Sequence, residues 1–137
     1  MKRSPGPKTP TPGSKPATGR SRASTGPSAD TRALVTARAG GICEVCGEKP
    51  TRDYSIHHRR PRGMGGTRSP AVNSPANLMY VCGSGTTGCH GLIESDRKWA
   101  ASLGYLVRSG QDPVEEPIVL HRKRRVYLDP SGVYNPG

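Results

Sequence analysis

The sequence predicts a small zinc-stabilised α+β domain behind a disordered basic tail. Three observations predict it: too little apolar material for an ordinary core, four cysteines placed like metal ligands, and a histidine-bearing strand followed by a second strand and a helix. Only 31% of the 137 residues are hydrophobic, 4% are aromatic and phenylalanine is absent, so apolar burial needs a cross-link to assist it. Glycine (18) and proline (14) approach the level of low-complexity sequence. They are spread unevenly, which divides the chain into a tail at 1–29, a zinc-stapled domain at 30–110 and an extended carboxy-terminal segment at 111–137.

Residues 1–29 hold six prolines, six of the 21 Lys and Arg residues and no acid. Such a segment buries too little apolar surface to offset its chain entropy, so a disordered tail is expected. Asp30 is placed to cap a helix from Thr31 to about Ala39, where Leu34, Val35 and Arg38 fall at helical spacing and Gly40-Gly41 stops it. Tyr54 to Arg59 reads as a strand, Arg60 to Ala76 as a long Gly/Pro/Arg/Ser loop, and Leu78 to Cys82 as a second, buried strand. From His90 to Leu103 the apolar spacing is helical, with a restart at Ser95 or Asp96 and a stop at Gly104. Leu106-Val107, Ile118–Leu120 and Val126–Leu128 read as extended surface segments, and Asp129 to Gly132 as a turn. No internal repeat is visible.

The formal charge of +11 and isoelectric point near 10.1 imply an anionic partner, with nucleic acid first because phosphate neutralisation releases counterions. Without the tail, fifteen basic residues still face ten acidic ones, a surplus of +5. No apolar run reaches the eighteen or so residues that span a bilayer, no basic amphipathic helix is evident, and the amino terminus lacks a signal-peptide core. A cytoplasmic protein without a membrane partner is therefore expected, in a compartment where thiols stay reduced.

In Cys43-Glu44-Val45-Cys46 two thiolates two residues apart can reach one metal, and Cys82 with Cys89 can supply the other two ligands. Zinc suits four soft thiolates in a closed tetrahedron, and such a site ties distant segments together where a core is thin. Six residues separate the second pair instead of the usual two; three glycines among them make that loop pliable.

His57 and His58 are adjacent on a strand and point to opposite faces, so one can hold a metal while the other acts separately. Pairing that strand with Leu78–Cys82 and following it with the helix at His90 gives a ββα unit converging on one cation. The ordered set Cys43-x-x-Cys46, Ile56-His57-His58-Arg59-x-Pro61, Gly65-Gly66, Asn77-Leu78, Cys82 and Cys89-His90-Gly91 resembles the HNH endonucleases, also called ββα-metal or His-Me fingers. The resemblance covers about residues 40–103, and the stretch from Gly83 to Ser95 especially resembles small HNH proteins of actinobacterial phages and their hosts.

That resemblance implies His58 as the general base, His57 and His90 as ligands of a catalytic divalent ion, and Asn77 as the residue that fixes the histidine-bearing backbone. His57 stands where many relatives carry aspartate. Glu94 stands where some carry a further histidine, one helical turn beyond His90, and is an additional candidate ligand beside the bland alternative of a solvated carboxylate. The ion implied is Mg2+, with Mn2+, Ni2+ and Zn2+ as other candidates. His121, outside the motif, reads as an ordinary surface or hydrogen-bonded residue.

Arg59, Arg60, Arg62 and Arg68 flank this strand and are candidate phosphate contacts. Arg122 to Arg125 form a second basic cluster, as readily a hydrated turn as a backbone-tracking patch. The expected activity is nicking or cutting of DNA by a monomer, in a phage setting beside terminase subunits and in host cytoplasm. The alternative is a zinc-stapled nucleic-acid-binding module without hydrolysis, and a weaker third is a packaging adaptor that binds protein.

Overall fold

The computed structural model describes residues 26–61 and 70–137. Most of the expected tail, the Gly65-Gly66 pair and the candidate contacts Arg62 and Arg68 lie outside the described residues.

The first helix, α1, spans Ala29–Ala39. Its N-cap is Ser28, whose Oγ accepts from Thr31 N at 3.1 Å. Asp30, the expected cap, lies inside the first turn instead, where its charge complements the helix dipole. At the other end Gly40 adopts φ 67° and its N–H closes on Ala37 O. Val35 and Ala39 are buried against Leu78 and Tyr80, with Ile56 packed alongside, while Leu34 stays exposed.

Strands β1, Tyr54–His58, and β2, Leu78–Cys82, form an antiparallel pair in which His57 faces Met79 and His58 faces Leu78. The expected strand pairing is therefore present, and β2 is buried from Leu78 to Val81. The described part of the loop between them is not featureless: short 3-10 turns cover Pro70–Asn73 and Pro75–Asn77. Helix α2, Gly88–Ser95, packs on β2, and α3, Arg97–Ser102, follows after a break. That break is the restart foreseen at Asp96, whose Oδ1 accepts from Trp99 N at 3.2 Å.

The carboxy-terminal residues differ from expectation. Ile118–Leu120 (β3), Arg124–Leu128 (β4) and Tyr134–Pro136 (β5) form a three-stranded antiparallel sheet. Ile118, Leu120, Val126 and Leu128 are at most 2% exposed and share one core with Cys43, Val45, Met79, Val81, Ile93 and Tyr105. They are core residues, not surface ones, because alternation along two short paired strands sends i and i+2 to the same inner face. The close approach of this sheet to the end of α3 needs a glycine: a β-carbon at Gly104 would sit 1.9 Å from Pro117 O. The result is a small mixed α and β fold carrying a cysteine cluster. Among the described residues no helix is long and apolar enough to cross a membrane.

Candidate active site

The four cysteines come from three places: the turn after α1, the end of β2 and the first turn of α2. Their sulfurs all lie within 4.8 Å of one another, and Cys46 Sγ is 4.0 Å from Cys82 Sγ. A tetrahedral zinc with bonds of about 2.3 Å has edges of about 3.8 Å, so the four fit a zinc ion with little adjustment. Val45 N and Cys46 N point at Cys43 Sγ, at 3.4 and 3.5 Å, and Cys89 N points at Cys82 Sγ at 3.4 Å. These amide dipoles favour thiolate. The Cys43 thiol is pulled down to about 4, first by a hydrogen bond from Cys89 and then by backbone N–H groups, against a rise from burial. The proton shared with Cys43 pushes Cys89 up. The long second loop closes because Gly83, at φ 90°, tolerates a contact that would leave only 2.0 Å between a β-carbon and Thr87 O.

A second cluster lies beyond the same helix. His57 on β1 and His90 and Glu94 on α2 bring their donor atoms within 4.8 Å of one another. The two imidazole rings meet edge to face with centroids 5.3 Å apart. His57 Nε2 lies 2.8 Å from Tyr105 O; a carbonyl can only accept, so the ring carries its proton there and its lone pair on Nδ1. Burial, helped by the nearby His90, His58 and Arg59, holds the His57 imidazole down at about 4 against the opposing pull of the Tyr105 carbonyl. His90 is also lowered by burial, with Glu94 opposing. Both rings are therefore neutral near neutral pH, the form that binds metal. His90 Nδ1 is buried with no hydrogen-bond partner among the described residues, and Glu94 Oε2 is 3.8 Å from His90 Nε2. Two neutral imidazoles, one of them with an orphaned ring nitrogen, and a carboxylate fit a divalent cation.

His58, half-buried, opens onto the same cleft of about 280 Å3, which His57, Pro61, His90, Glu94 and Arg97 also line. Its Nε2 is 2.9 Å from Asn73 Oδ1, an acceptor, which puts the His58 lone pair on Nδ1. Asn77 is wholly buried and acts on backbone alone. Its Oδ1 accepts from Arg60 N at 2.8 Å, while its Nδ2 donates to Arg60 O at 3.1 Å and to Val72 O at 2.9 Å. One amide thus fixes the chain just after His58 and just before Asn73.

Arg59 requires correction. It is fully buried, and its guanidinium donates to the carbonyls of Gly104, Ala76, Pro113 and Glu116 at 2.5–3.0 Å. No face of it is left to grip a phosphate. Arg60 is half-buried with its backbone held by Asn77. Arg97, which lines the cleft, and Asn73, which bonds the His58 ring, are residues that the sequence reading passed over. Arg97 could have been found from its i+3 spacing to Glu94, which it pairs with at 3.0 Å; Asn73 carried no local signal.

A further network was not foreseen at all. Glu44, between the first two cysteines, is buried and takes both forks of Arg38, Nε to Oε2 and a terminal nitrogen to Oε1, each at 2.9 Å. Tyr80 N donates to its Oε1 at 2.8 Å and Tyr134 Oη to its Oε2 at 2.7 Å. Arg38 also donates to Pro75 O and Leu78 O. The acid thereby ties α1, β2 and β5 to the cysteine turn.

No protein-family model, curated protein or solved structure matches the chain at a significant level.

Proposed function

We propose that this protein is a metal-dependent endonuclease of the HNH type that hydrolyses DNA phosphodiester bonds. The observation that carries it is the meeting of His57, His90 and Glu94 at one cleft wall while His58, oriented by Asn73, opens onto the same cleft. Two kinds of imidazole work are thereby separated: ligation by one pair and proton transfer by the third ring.

In this reading His57, His90 and Glu94 hold the cation, which when bound polarises the scissile phosphate and offsets charge on the leaving oxygen. His58 Nδ1 takes a proton from the attacking water as the water oxygen bonds to phosphorus. Asn73, accepting from Nε2, stabilises the imidazolium that results. The P–O3′ bond breaks, the leaving oxygen takes a proton from water in the open cleft, and the products carry a 5′-phosphate and a 3′-hydroxyl. Asn77 is a positioning residue: it holds the backbone just after His58 and just before Asn73 within the tolerance that proton transfer demands. Structural zinc at the four cysteines holds β2 and the start of α2 together, and with them His90.

Incubating the protein with supercoiled plasmid and Mg2+, Mn2+ or Ni2+ tests this proposal. Nicking that needs an added divalent ion, and that His90→Ala abolishes while the melting temperature holds, supports hydrolysis. Duplex binding without nicking in every metal overturns it in favour of a zinc-stapled binding module.

A further inference from the structure

The hairpin joining β3 to β4 is strained at its tip and densely charged. His121 and Arg122 both lie in the left-handed region, at φ 55° and 57°, and Lys123 N closes the turn on Leu120 O at 2.9 Å. Turns of this kind favour Asn and Gly, because a β-carbon is crowded at positive φ. Here an imidazole and a guanidinium occupy both positions. Such a conformation persists only where its surroundings enforce it, and they do so here: His121 N donates to Glu44 O at 3.0 Å, and Gly47 leaves room for the ring, since a β-carbon there would lie 3.2 Å from His121 Cβ. The tip is mounted on the first cysteine turn.

Arg122, Lys123, Arg124 and Arg125 are all exposed. Ion pairs among the described residues involve only Arg38, His90 and Arg97 with Glu44 and Glu94, so none of the four has a carboxylate partner there. Arg122 is held over the Trp99 ring, 5.7 Å from its centre, which orders one guanidinium without neutralising it. At the base of the hairpin, Val119 O accepts from Tyr105 Oη at 2.6 Å, and the carbonyl of the same tyrosine orients His57. Four uncompensated cations on a braced, strained arm repel one another, a cost that an external polyanion removes.

We propose that this hairpin is a phosphate-binding prong that grips the sugar–phosphate backbone of duplex DNA. The proposal rests on the reading of DNA as the partner, not on the cleft being hydrolytic. Arginine forks suit pairs of phosphate oxygens and read no base, so the prong adds affinity and register without sequence preference. Its signature is electrostatic: each phosphate neutralised contributes about 0.9 to the slope of log affinity against log salt.

The test is fluorescence anisotropy of a labelled duplex across a salt series, with the full chain and with R122Q/K123Q/R124Q/R125Q, after zinc content and melting temperature are matched. A milder R124Q/R125Q variant leaves Arg122 on Trp99 in case the quadruple variant is unstable. The quadruple variant is expected to lower the slope by about 2 to 4 and the milder one by about 1 to 2, weakening binding at least about tenfold near physiological salt. Unchanged slopes overturn the prong, as does loss of binding to phosphatidylserine vesicles with duplex binding intact. His58→Ala is expected to keep the wild-type slope while losing nicking, and the prong variants to keep nicking at low salt and saturating protein. Failure of the prong and failure of the hydrolytic reading are therefore separately visible.

Discussion

Lysine at position 59 retains the positive charge of the arginine but not its fork, which makes Arg59→Lys a direct probe of what that residue does. The guanidinium donates to four carbonyls on three segments: Ala76 before β2, Gly104 after α3, and Pro113 and Glu116 before β3. Burial, with the nearby Arg38 charge, draws it down to about 10, so the site tolerates the charge only because those carbonyls replace water. An ammonium on a shorter reach satisfies one or two of them. Losing two charge-assisted bonds at about 1.5–3 kcal/mol each predicts a loss of about 3–6 kcal/mol, a large share of the roughly 5–15 kcal/mol that holds a small domain together. Urea unfolding followed by the fluorescence of the single tryptophan, Trp99, which packs edge to face on Tyr105, reads this as a lower midpoint with an unchanged m-value. Folded Arg59→Lys protein is expected to bind duplex DNA with the wild-type salt slope. A variant within about 0.5 kcal/mol of wild type, with a slope reduced by about one, would refute the reasoning by showing that the side chain reaches phosphate.

Glu44→Gln leaves the buried Arg38 guanidinium without its counter-charge and is expected to cost about 3–5 kcal/mol in thermal or urea unfolding; a loss below about 1 kcal/mol would contradict the network drawn around that acid. Purified protein is expected to carry one tightly held zinc at the cysteines, and chelation that removes it to abolish cooperative unfolding; removal with an unchanged melting temperature speaks against a structural ion. His57 makes stability depend on pH with a definite sign. Its folded value of about 4 lies below the unfolded 6.5, so the unfolded chain binds the proton more tightly. The contribution is complete above about pH 6.5 and is lost as pH falls towards 4, by about 3 kcal/mol in all. Urea midpoints at several pH values should fall more steeply for wild type than for His57→Asn, and parallel curves would show that His57 is not buried neutral.

What was legible in the sequence was local. The cysteine spacing and the i, i+4 relation of His90 and Glu94 each need only a few residues of known geometry, and both clusters assemble as those spacings suggest. Strand alternation also held more than was taken from it. Arg59 follows directly on β1, its N–H bonded to Asn77 O, and the alternation that buries His57 carries on to bury Arg59 two residues later; the surplus of charge obscured this. Glu44 was illegible because its partners Arg38 and Tyr134 come from a helix and a strand that no spacing rule relates. The inner face of the carboxy-terminal sheet was missed for a similar reason. Ile118 with Leu120 and Val126 with Leu128 are two-residue signals, too short to separate a paired strand from a loose extended segment until Tyr134–Pro136 closes the sheet.

The central claim is that His58 acts as the proton acceptor in a hydrolytic cleft, and single-turnover nicking of supercoiled plasmid by wild type and His58→Ala tests it most directly. The account predicts that the variant loses about 100- to 10,000-fold in rate, while zinc content, melting temperature and duplex affinity stay at wild-type values. Undiminished nicking by a folded His58→Ala protein, or no nicking by wild type with any divalent ion, would contradict it.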